Sequence, residues 1–237
     1  LNSIGLQNVG IDAFIADKLP YLRDYDTRVL ANLSGRTVAD YVDLCARFED
    51  TEGVHGLELN VSCPNVDSGG MTFGVDEGLL GELVASCRTA TTLPLIVKLS
   101  PNVTDIAGMA RVCESAGADG ISLINTLLGM SIDVDSRRAD LSRGMGGLSG
   151  PAVKSVAVRM VWQVYNAVSV PIIGMGGIST TEDALEFIVA GATAVAVGTA
   201  NFVNPRATME IVDGIEAYFE QHDIPNVAAL RGSCIVG

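Results

Sequence analysis

The sequence has few of the residues that mark nucleic-acid-binding or membrane-spanning proteins. Its 237 residues include 15 lysines and arginines against 28 aspartates and glutamates, which gives a formal net charge of −13. This negative balance argues against a nucleic-acid groove and against binding to an anionic membrane surface. It does not exclude a local basic position that binds one phosphate. No uninterrupted apolar stretch reaches about 18 residues, so we expect no transmembrane helix.

The sequence also has no cysteine pattern of a structural kind. Its five cysteines are scattered, odd in number, and form no CxxC pair. We therefore expect reduced thiols in a cytoplasmic protein, and neither a disulfide framework nor a zinc site. Cys45, Cys87 and Cys113 lie within helical patterns and are expected to be buried, as free cysteine usually is. The chain opens at Leu1 without an initiator methionine or a signal peptide, which predicts that it begins partway through a longer protein.

The sequence does contain a regular alternation of short β-rich runs and amphipathic helical patterns. Strands are predicted at 28–34, 56–62, 95–100, 120–126, 171–177 and 194–199. Helices are predicted at 37–49, 76–90, 104–116, 151–168, 181–191 and 204–221. Only 5% of the residues are aromatic and 26 are glycine, which favours tight strand-to-helix turns over a β-sandwich. The alternation predicts a parallel sheet that helices cover on both faces.

Both an open doubly wound sheet and a closed barrel fit this alternation. Polar or glycine residues recur at the strand ends, at Asn32, Asn60, Lys98, Asn125, Gly176 and Thr199. In a barrel those ends converge on the face that carries active sites, so we predict an α/β fold of the (β/α)8 TIM-barrel type, with residues 1–237 as a single domain. Six βα units are visible where a closed barrel needs eight, which predicts that the first two units precede Leu1. Residues 127–150 form a long connection, for which we predict a small hairpin over the barrel mouth.

Three glycine-rich turns precede predicted helices. They are GGLSGPA at 146–152, GMGGIST at 174–180 and VGTANF at 197–202. Backbone N–H groups at such turns can approach a phosphate, and many barrels hold phosphate in the loops after strands 7 and 8. The turns therefore predict a phosphate site, the alternative being that glycine merely permits tight turns. Lys98, with apolar residues on both sides, could be a Schiff-base nucleophile, a phosphate ligand or a fixed cation beside an electron-rich ring.

The stretch LELNVSCPN, residues 57–65, delivers polar groups to the end of a buried strand. Asn60 and Asn65 offer both donors and acceptors, so they can satisfy the edges of a flat polar ring without adding charge. Cys63, followed by Pro64 in a polar loop, is read as a thiol that moves a proton and not as a buried small hydrophobe. A thiol is a sensible base at mildly alkaline pH, because its unperturbed pKa is about 8.5.

Seven motifs occur in a fixed order along the chain: NSIGLQN, NVSCPN, VKLSPN, LINT, GGLSGPA, GMGGI and VGTANF. In these motifs the chain resembles the class 1 dihydroorotate dehydrogenases, most closely the NAD-linked class 1B catalytic subunit, over essentially its whole length. The SCPN motif separates it from the membrane-linked class 2 enzymes, which resemble it but carry serine where Cys63 stands.

The resemblance implies an oxidoreductase of pyrimidine biosynthesis that oxidises dihydroorotate to orotate with FMN. Cys63 would remove the proton from C5 of the substrate while hydride leaves C6 for flavin N5. The implied substrate contacts are Asn2, Ser3, Ile4, Gly5, Leu6, Asn60, Asn65, Asn125 and Thr126. The implied FMN contacts are Asn32, Asn60, Lys98, Ile124, Gly150, Gly176, Gly177, Gly198 and Thr199.

The class resemblance also implies partners. Electrons would pass to NAD through a separate subunit that carries FAD and a [2Fe–2S] cluster, in a heterotetramer built on a homodimer of this chain. Three alternatives stay open at this point: an FMN-barrel dehydrogenase of another dihydropyrimidine, a Schiff-base aldolase that uses Lys98, and a non-catalytic barrel fragment that serves binding or assembly.

Overall fold

The structure is a computed structural model, and it describes residues 1–62 and 73–237. Cys63 and Asn65 lie outside the described residues. The chain divides into two compact units. We call Ile4–Leu99 with Gly108–Ile121 the N-terminal unit, and Leu1–Ser3, Ser100–Ala107 and Ser122–Gly237 together the C-terminal unit. The single-domain organisation stays a prediction.

All six predicted strands are present. They are β1 (Leu30–Leu33), β2 (Gly56–Asn60), β3 (Leu95–Lys98), β4 (Gly120–Leu123), β9 (Ile172–Met175) and β10 (Ala194–Ala196). They belong to one six-stranded sheet in the order β1-β2-β3-β4-β9-β10. The pairs β1–β2, β2–β3 and β9–β10 are parallel, as strand–helix alternation requires.

The long connection forms the predicted hairpin. β5 (Leu127–Met130) pairs antiparallel with β8 (Met145–Leu148), and β6 (Ile132–Asp133) pairs antiparallel with β7 (Arg138–Ala139). Arg137 has a φ of 57° in the turn between β6 and β7. The position of this hairpin over a barrel mouth stays a prediction.

All six predicted helices are also present. They are α3 (Val38–Glu49), α4 (Glu77–Ala90), α5 (Ile106–Ser115), α6 (Lys154–Tyr165), α7 (Thr181–Ala190) and α9 (Ala207–Gln221). α3 and α7 begin at capping boxes. In each, the threonine hydroxyl (Thr37 or Thr180) accepts from the N–H of the aspartate three residues later (Asp40 or Asp183), and the aspartate carboxylate accepts from the N–H of the threonine.

Short helices add to this set. They are α1 (Ile11–Ala13), a π-helix (Phe14–Lys18), α2 (Leu19–Arg23), 3₁₀ turns at Phe73–Val75 and Pro151–Val153, α8 (Ala200–Val203) and α10 (Val227–Leu230). Within the described part of the chain, no helix combines the length and apolar character needed to cross a membrane.

The core of the N-terminal unit lies on one face of its strands. Leu57 and Leu59 of β2 and Leu95 and Val97 of β3 are fully buried, and the alternate residues of both strands point the other way. The three cysteines predicted to be buried, Cys45, Cys87 and Cys113, are all fully buried. Burial raises the pKa of the Cys113 thiol to about 12, which makes it chemically inert at neutral pH.

Candidate active site

A row of polar side chains follows the strands of the N-terminal unit. Asn32 lies on β1, Asn60 ends β2 and Lys98 ends β3, and the parallel register sets Asn60 directly beside Lys98. Asn32 pairs in register with Glu58 of β2, two residues before Asn60 and therefore on the same face of that strand. The fold thus brings together three of the predicted cofactor-side residues and adds a carboxylate.

Glu58 fixes the orientation of the Asn32 amide. The Nδ2 group of Asn32 donates a hydrogen bond to Oε2 of Glu58. An ionised carboxylate can only accept hydrogen bonds, so this contact turns the NH2 group of Asn32 toward Glu58 and leaves its carbonyl oxygen to accept from a ligand. Glu58 was not predicted. Its position two residues before Asn60 in an otherwise apolar strand places both side chains on one face, and this could have indicated it.

Tyr41 holds the end of β2 in place. Its hydroxyl donates a 2.7 Å hydrogen bond to the backbone carbonyl of Asn60, and its side chain is only 1% exposed. The ring packs edge-on against Phe73, with 6.0 Å between the ring centroids. Tyr41 was read only as part of the α3 helical pattern, because the sequence does not show which strand end that helix face meets.

The three predicted glycine turns come together in the C-terminal unit. A Cβ on Gly177 would lie 2.7 Å from the carbonyl oxygen of Gly150 and 3.0 Å from the backbone nitrogen of Lys154. A Cβ on Gly150 would lie 3.9 Å from Oγ1 of Thr199. We call Gly150, Gly176, Gly177, Gly198 and Thr199 the glycine-turn cluster.

The glycine-turn cluster offers backbone donors. Within residues 1–62 and 73–237, the N–H groups of Gly177, Gly198 and Thr199 donate no backbone or side-chain hydrogen bond. Successive donors of this kind form a concave site for an anion. Ile124 adjoins the cluster, since a Cβ on Gly176 would lie 3.0 Å from its Cγ1, and it is buried.

An ion cluster lies directly behind these turns. Nζ of Lys154 contacts Oδ1 of Asp183 at 2.7 Å and Oε1 of Glu186 at 2.6 Å. Hydrogen bonding to Asp183, and then to Glu186, raises the pKa of Lys154 to about 12. Burial by itself opposes ionisation of Asp183, but hydrogen bonds from Lys154, Ser179 and Thr180 outweigh it and lower the pKa of that carboxyl.

The predicted substrate-side residues of the C-terminal unit also form a group. Asn2 and Gly147 exchange two backbone hydrogen bonds, at 3.0 and 2.8 Å, and the Asn2 side chain donates a third to the Gly147 carbonyl at 3.3 Å. Gly147 packs against Thr126, because a Cβ on that glycine would clash with the threonine hydroxyl. The Asn125 side chain accepts from the N–H of Thr126 at 2.8 Å.

Asn102 supports this group and was not predicted. Its Nδ2 donates to the Thr126 carbonyl at 3.1 Å, and its Oδ1 accepts from the N–H of Leu128 at 2.9 Å. The structure therefore brings Asn2, Asn125 and Thr126 together. Of the remaining predicted substrate contacts, Ser3 is half-buried in the C-terminal unit, and Ile4, Gly5 and Leu6 are exposed in the N-terminal unit.

Comparison with known proteins identifies the family. The family model for dihydroorotate dehydrogenase matches residues 1–219. The chain belongs to the dihydroorotate dehydrogenase family. Proteins named dihydroorotate dehydrogenase B (NAD(+)), catalytic subunit, are similar to it in Alkaliphilus metalliredigens (55% identity), Pelobacter propionicus (56%) and Trichlorobacter lovleyi (57%). Each match covers 98% of this chain and 77% of the relative.

A solved dihydroorotate dehydrogenase structure supports the fold. The enzyme from Eimeria tenella, in complex with ferulenol, matches with a TM-score of 0.74 at 23% identity, over 94% of this chain and 66% of that chain. The family resemblance predicted from the seven motifs is confirmed, and so is the α/β fold of partial TIM-barrel type. Among the described residues of this family member, no three acidic, histidine or cysteine side chains group as a metal site would require.

Proposed function

We propose that this chain is the catalytic subunit of an NAD-linked dihydroorotate dehydrogenase, which oxidises dihydroorotate to orotate with FMN in pyrimidine biosynthesis. The observation that carries the proposal is the identity of 55–57% to such subunits. The structure agrees with it: one unit has strand-end amides beside a lysine, and the other has glycine turns that offer backbone N–H donors. Family membership decides against a Schiff-base aldolase.

The residues present fit FMN. The backbone N–H groups of the glycine-turn cluster suit a phosphate, and the backbone at Gly198 borders open space, since even a Cβ there would meet nothing within 4 Å. Asn32, with its carbonyl oxygen turned away from Glu58, suits a ring N–H or a hydroxyl. In this proposal Asn32, Asn60, Lys98 and Ile124 contact the ring and ribityl region, and Gly150, Gly176, Gly177, Gly198 and Thr199 contact the rest of FMN.

The chain's own residues orient the substrate and move its proton. FMN, when bound, supplies the acceptor for the hydride. Cys63, as thiolate, takes the proton from C5 of dihydroorotate on the opposite face of the substrate. Amide side chains suit the ring edges of the substrate because they supply donors and acceptors without charge. The proposed substrate contacts are Asn2, Ser3, Ile4, Gly5, Leu6, Asn60, Asn65, Asn125 and Thr126.

The partners follow from the class. The relatives are named as catalytic subunits of an NAD(+)-type enzyme, which implies an electron-transfer partner. We propose that this partner carries FAD and a [2Fe–2S] cluster and joins a homodimer of this chain in a heterotetramer. A cytoplasmic location, without binding to nucleic acid or membrane, agrees with the net charge of −13.

Replacement of the proposed base tests the function. In the holoenzyme, Cys63→Ala should retain FMN and slow flavin bleaching by dihydroorotate under anaerobic conditions by about a hundredfold or more, because the C5 proton loses its acceptor. Stopped-flow absorbance at the flavin band measures this rate. NAD reduction with and without the partner subunit then tests the electron route.

Cys234→Ala is the matched control, since Cys234 is an exposed free cysteine. It should bleach at the wild-type rate. If Cys63→Ala also bleached at that rate, Cys63 would not be the base. If the wild-type holoenzyme bleached with another dihydropyrimidine and not with dihydroorotate, the substrate assignment would be wrong.

A further inference from the structure

We infer that Lys154 is a positioning residue for the FMN site. Lys154 holds two glycine turns in register through Asp183 and is not itself a ligand of the phosphate. The inference rests on the proposed function, because it concerns how the turns assigned to FMN keep their shape. It adds a residue that neither the motifs nor the family resemblance singled out.

The geometry links both turns to this one residue. The backbone of Lys154 abuts Gly177, since a Cβ there would lie 3.0 Å from both the nitrogen and the Cβ of Lys154. Lys154 begins α6 directly after the Gly150 turn, so its backbone belongs to one turn. Its side chain reaches Asp183 on α7, at the other turn.

Asp183 carries the contact onward into the GMGGIST turn. Its Oδ2 accepts from the N–H of Ser179 at 2.9 Å, the hydroxyl of Ser179 at 2.8 Å and the N–H of Thr180 at 3.0 Å. Asp183 is 9% exposed, so these bonds are only weakly screened by solvent. The path from Lys154 to the residues after Gly177 is therefore continuous, and its central carboxylate, Asp183, is buried.

The charges argue against direct phosphate binding by Lys154. Its ammonium group already contacts two carboxylates, at 2.7 and 2.6 Å, so the cluster of Lys154, Asp183 and Glu186 has one positive and two negative charges. A cluster with a net negative charge does not attract a phosphate. The attraction must come from the backbone N–H groups of the glycine-turn cluster, whose placement Lys154 maintains.

The rate of FMN release from the holoenzyme distinguishes the two roles. Fluorescence of released flavin after dilution measures this rate directly and needs no turnover. For a positioning residue, Lys154→Met and Asp183→Asn should both speed release by about tenfold or more, because either change loosens the turns. Lys154→Arg keeps the cation, so its rate of FMN release should be closer to that of the wild type.

The Asp183→Asn variant is decisive because it keeps the cation of Lys154 and removes the charge of its buried partner, while Glu186 stays in contact. If Lys154 were a phosphate ligand, this variant would release FMN at the wild-type rate or more slowly, and the inference would be overturned. Arg159→Met removes an exposed cation from the same helix, where Arg159 donates a hydrogen bond to Gln163, and should release FMN at the wild-type rate.

Two further outcomes separate this inference from the proposed function. A wild-type protein that shows no flavin spectrum after purification would overturn the proposed function and the inference with it. A flavin-bearing wild type whose Lys154→Met variant folds, as judged by circular dichroism, and releases FMN equally slowly would overturn the inference alone.

Discussion

The two units present their polar groups in different ways. In the N-terminal unit the groups are side chains, Asn32, Asn60 and Lys98, set at strand ends by sheet register. In the C-terminal unit they are largely backbone N–H groups, exposed by turns in which Gly150 and Gly177 have positive φ and lack side chains. One unit depends on residue identity and the other on backbone shape.

This difference decides which substitutions each unit can tolerate. A side chain at a strand end can be exchanged without disturbing the strand, so its loss should change ligand binding more than stability. A turn that must keep a positive φ and a close backbone approach cannot accept a Cβ without moving. Changes in the glycine turns should therefore affect stability and FMN binding together.

Gly177→Ala should have the largest effect. The added Cβ would lie 2.7 Å from the Gly150 carbonyl oxygen, in a residue whose φ is +83°, so both sterics and backbone conformation oppose it. We expect a loss of about 2–4 kcal/mol in the free energy of unfolding, together with loss of bound FMN. Urea unfolding and the flavin content of the purified protein measure the two effects.

Gly198→Ala is the matched control for the stability measurement. A Cβ there meets nothing within 4 Å, and its φ lies outside the left-handed region. The free energy of unfolding should change by less than about 0.5 kcal/mol. Equal losses in the two variants would show that the tight contact between Gly150 and Gly177 does not matter.

Tyr41→Phe sharpens the other half of the comparison. It removes the 2.7 Å hydrogen bond to the Asn60 carbonyl and leaves the ring packed on Phe73. We expect a loss of about 1 kcal/mol in the free energy of unfolding and a rise in KM for dihydroorotate, because the end of β2 is less firmly held. Steady-state kinetics and urea unfolding check these results.

Tyr21→Phe is the control for Tyr41. Tyr21 is exposed, and its hydroxyl accepts a hydrogen bond from the exposed Tyr25 hydroxyl. Its loss should leave both stability and KM near the wild-type values. A Tyr41→Phe enzyme with unchanged KM would limit Tyr41 to a role in stability.

The sequence was most informative where the pattern is local. The hydrophobic period of the helices and the short apolar runs of the strands are properties of neighbouring residues, and they predict all six major strands and all six major helices. The short helices between residues 11 and 23 were missed, because no clear period or capping residue marks them. Strand and helix boundaries differ from the predicted ones by up to three residues.

The residues that support the candidate site were the ones that sequence reasoning could not find. Asn32 is a visible strand-end amide, but its partner Glu58 belongs to the next strand and depends on register. Lys154 and Asp183 are 29 residues apart and meet only because α6 and α7 are neighbours. Ligand-type residues can be read from motifs, whereas their supporting contacts depend on long-range packing.

Glu49→Gln should have the smallest effect, and it tests a tether of the N-terminal unit. Glu49 ends α3 and accepts from the Thr91 hydroxyl at 2.6 Å and the Thr92 N–H at 2.7 Å, just before β3. The hydrogen bonds from Thr91, and then from Thr92, lower the pKa of Glu49 from 4.5 to about 2. A carboxyl whose pKa is lower in the folded protein than in the unfolded chain stabilises the fold at any pH above its unfolded-state pKa. That stabilisation is lost as pH falls from about 4.5 toward 2.

The pH dependence of stability therefore isolates this carboxylate. Wild-type protein should lose urea resistance between pH 5 and pH 2.5 more steeply than Glu49→Gln, because the amide has no proton to gain. Glu82→Gln, at an exposed position on α4, should keep the wild-type slope. If Glu49→Gln also kept the wild-type slope, the acid sensitivity would have to come from carboxylates elsewhere, Asp183 of the C-terminal unit among them, since hydrogen bonding lowers its pKa as well.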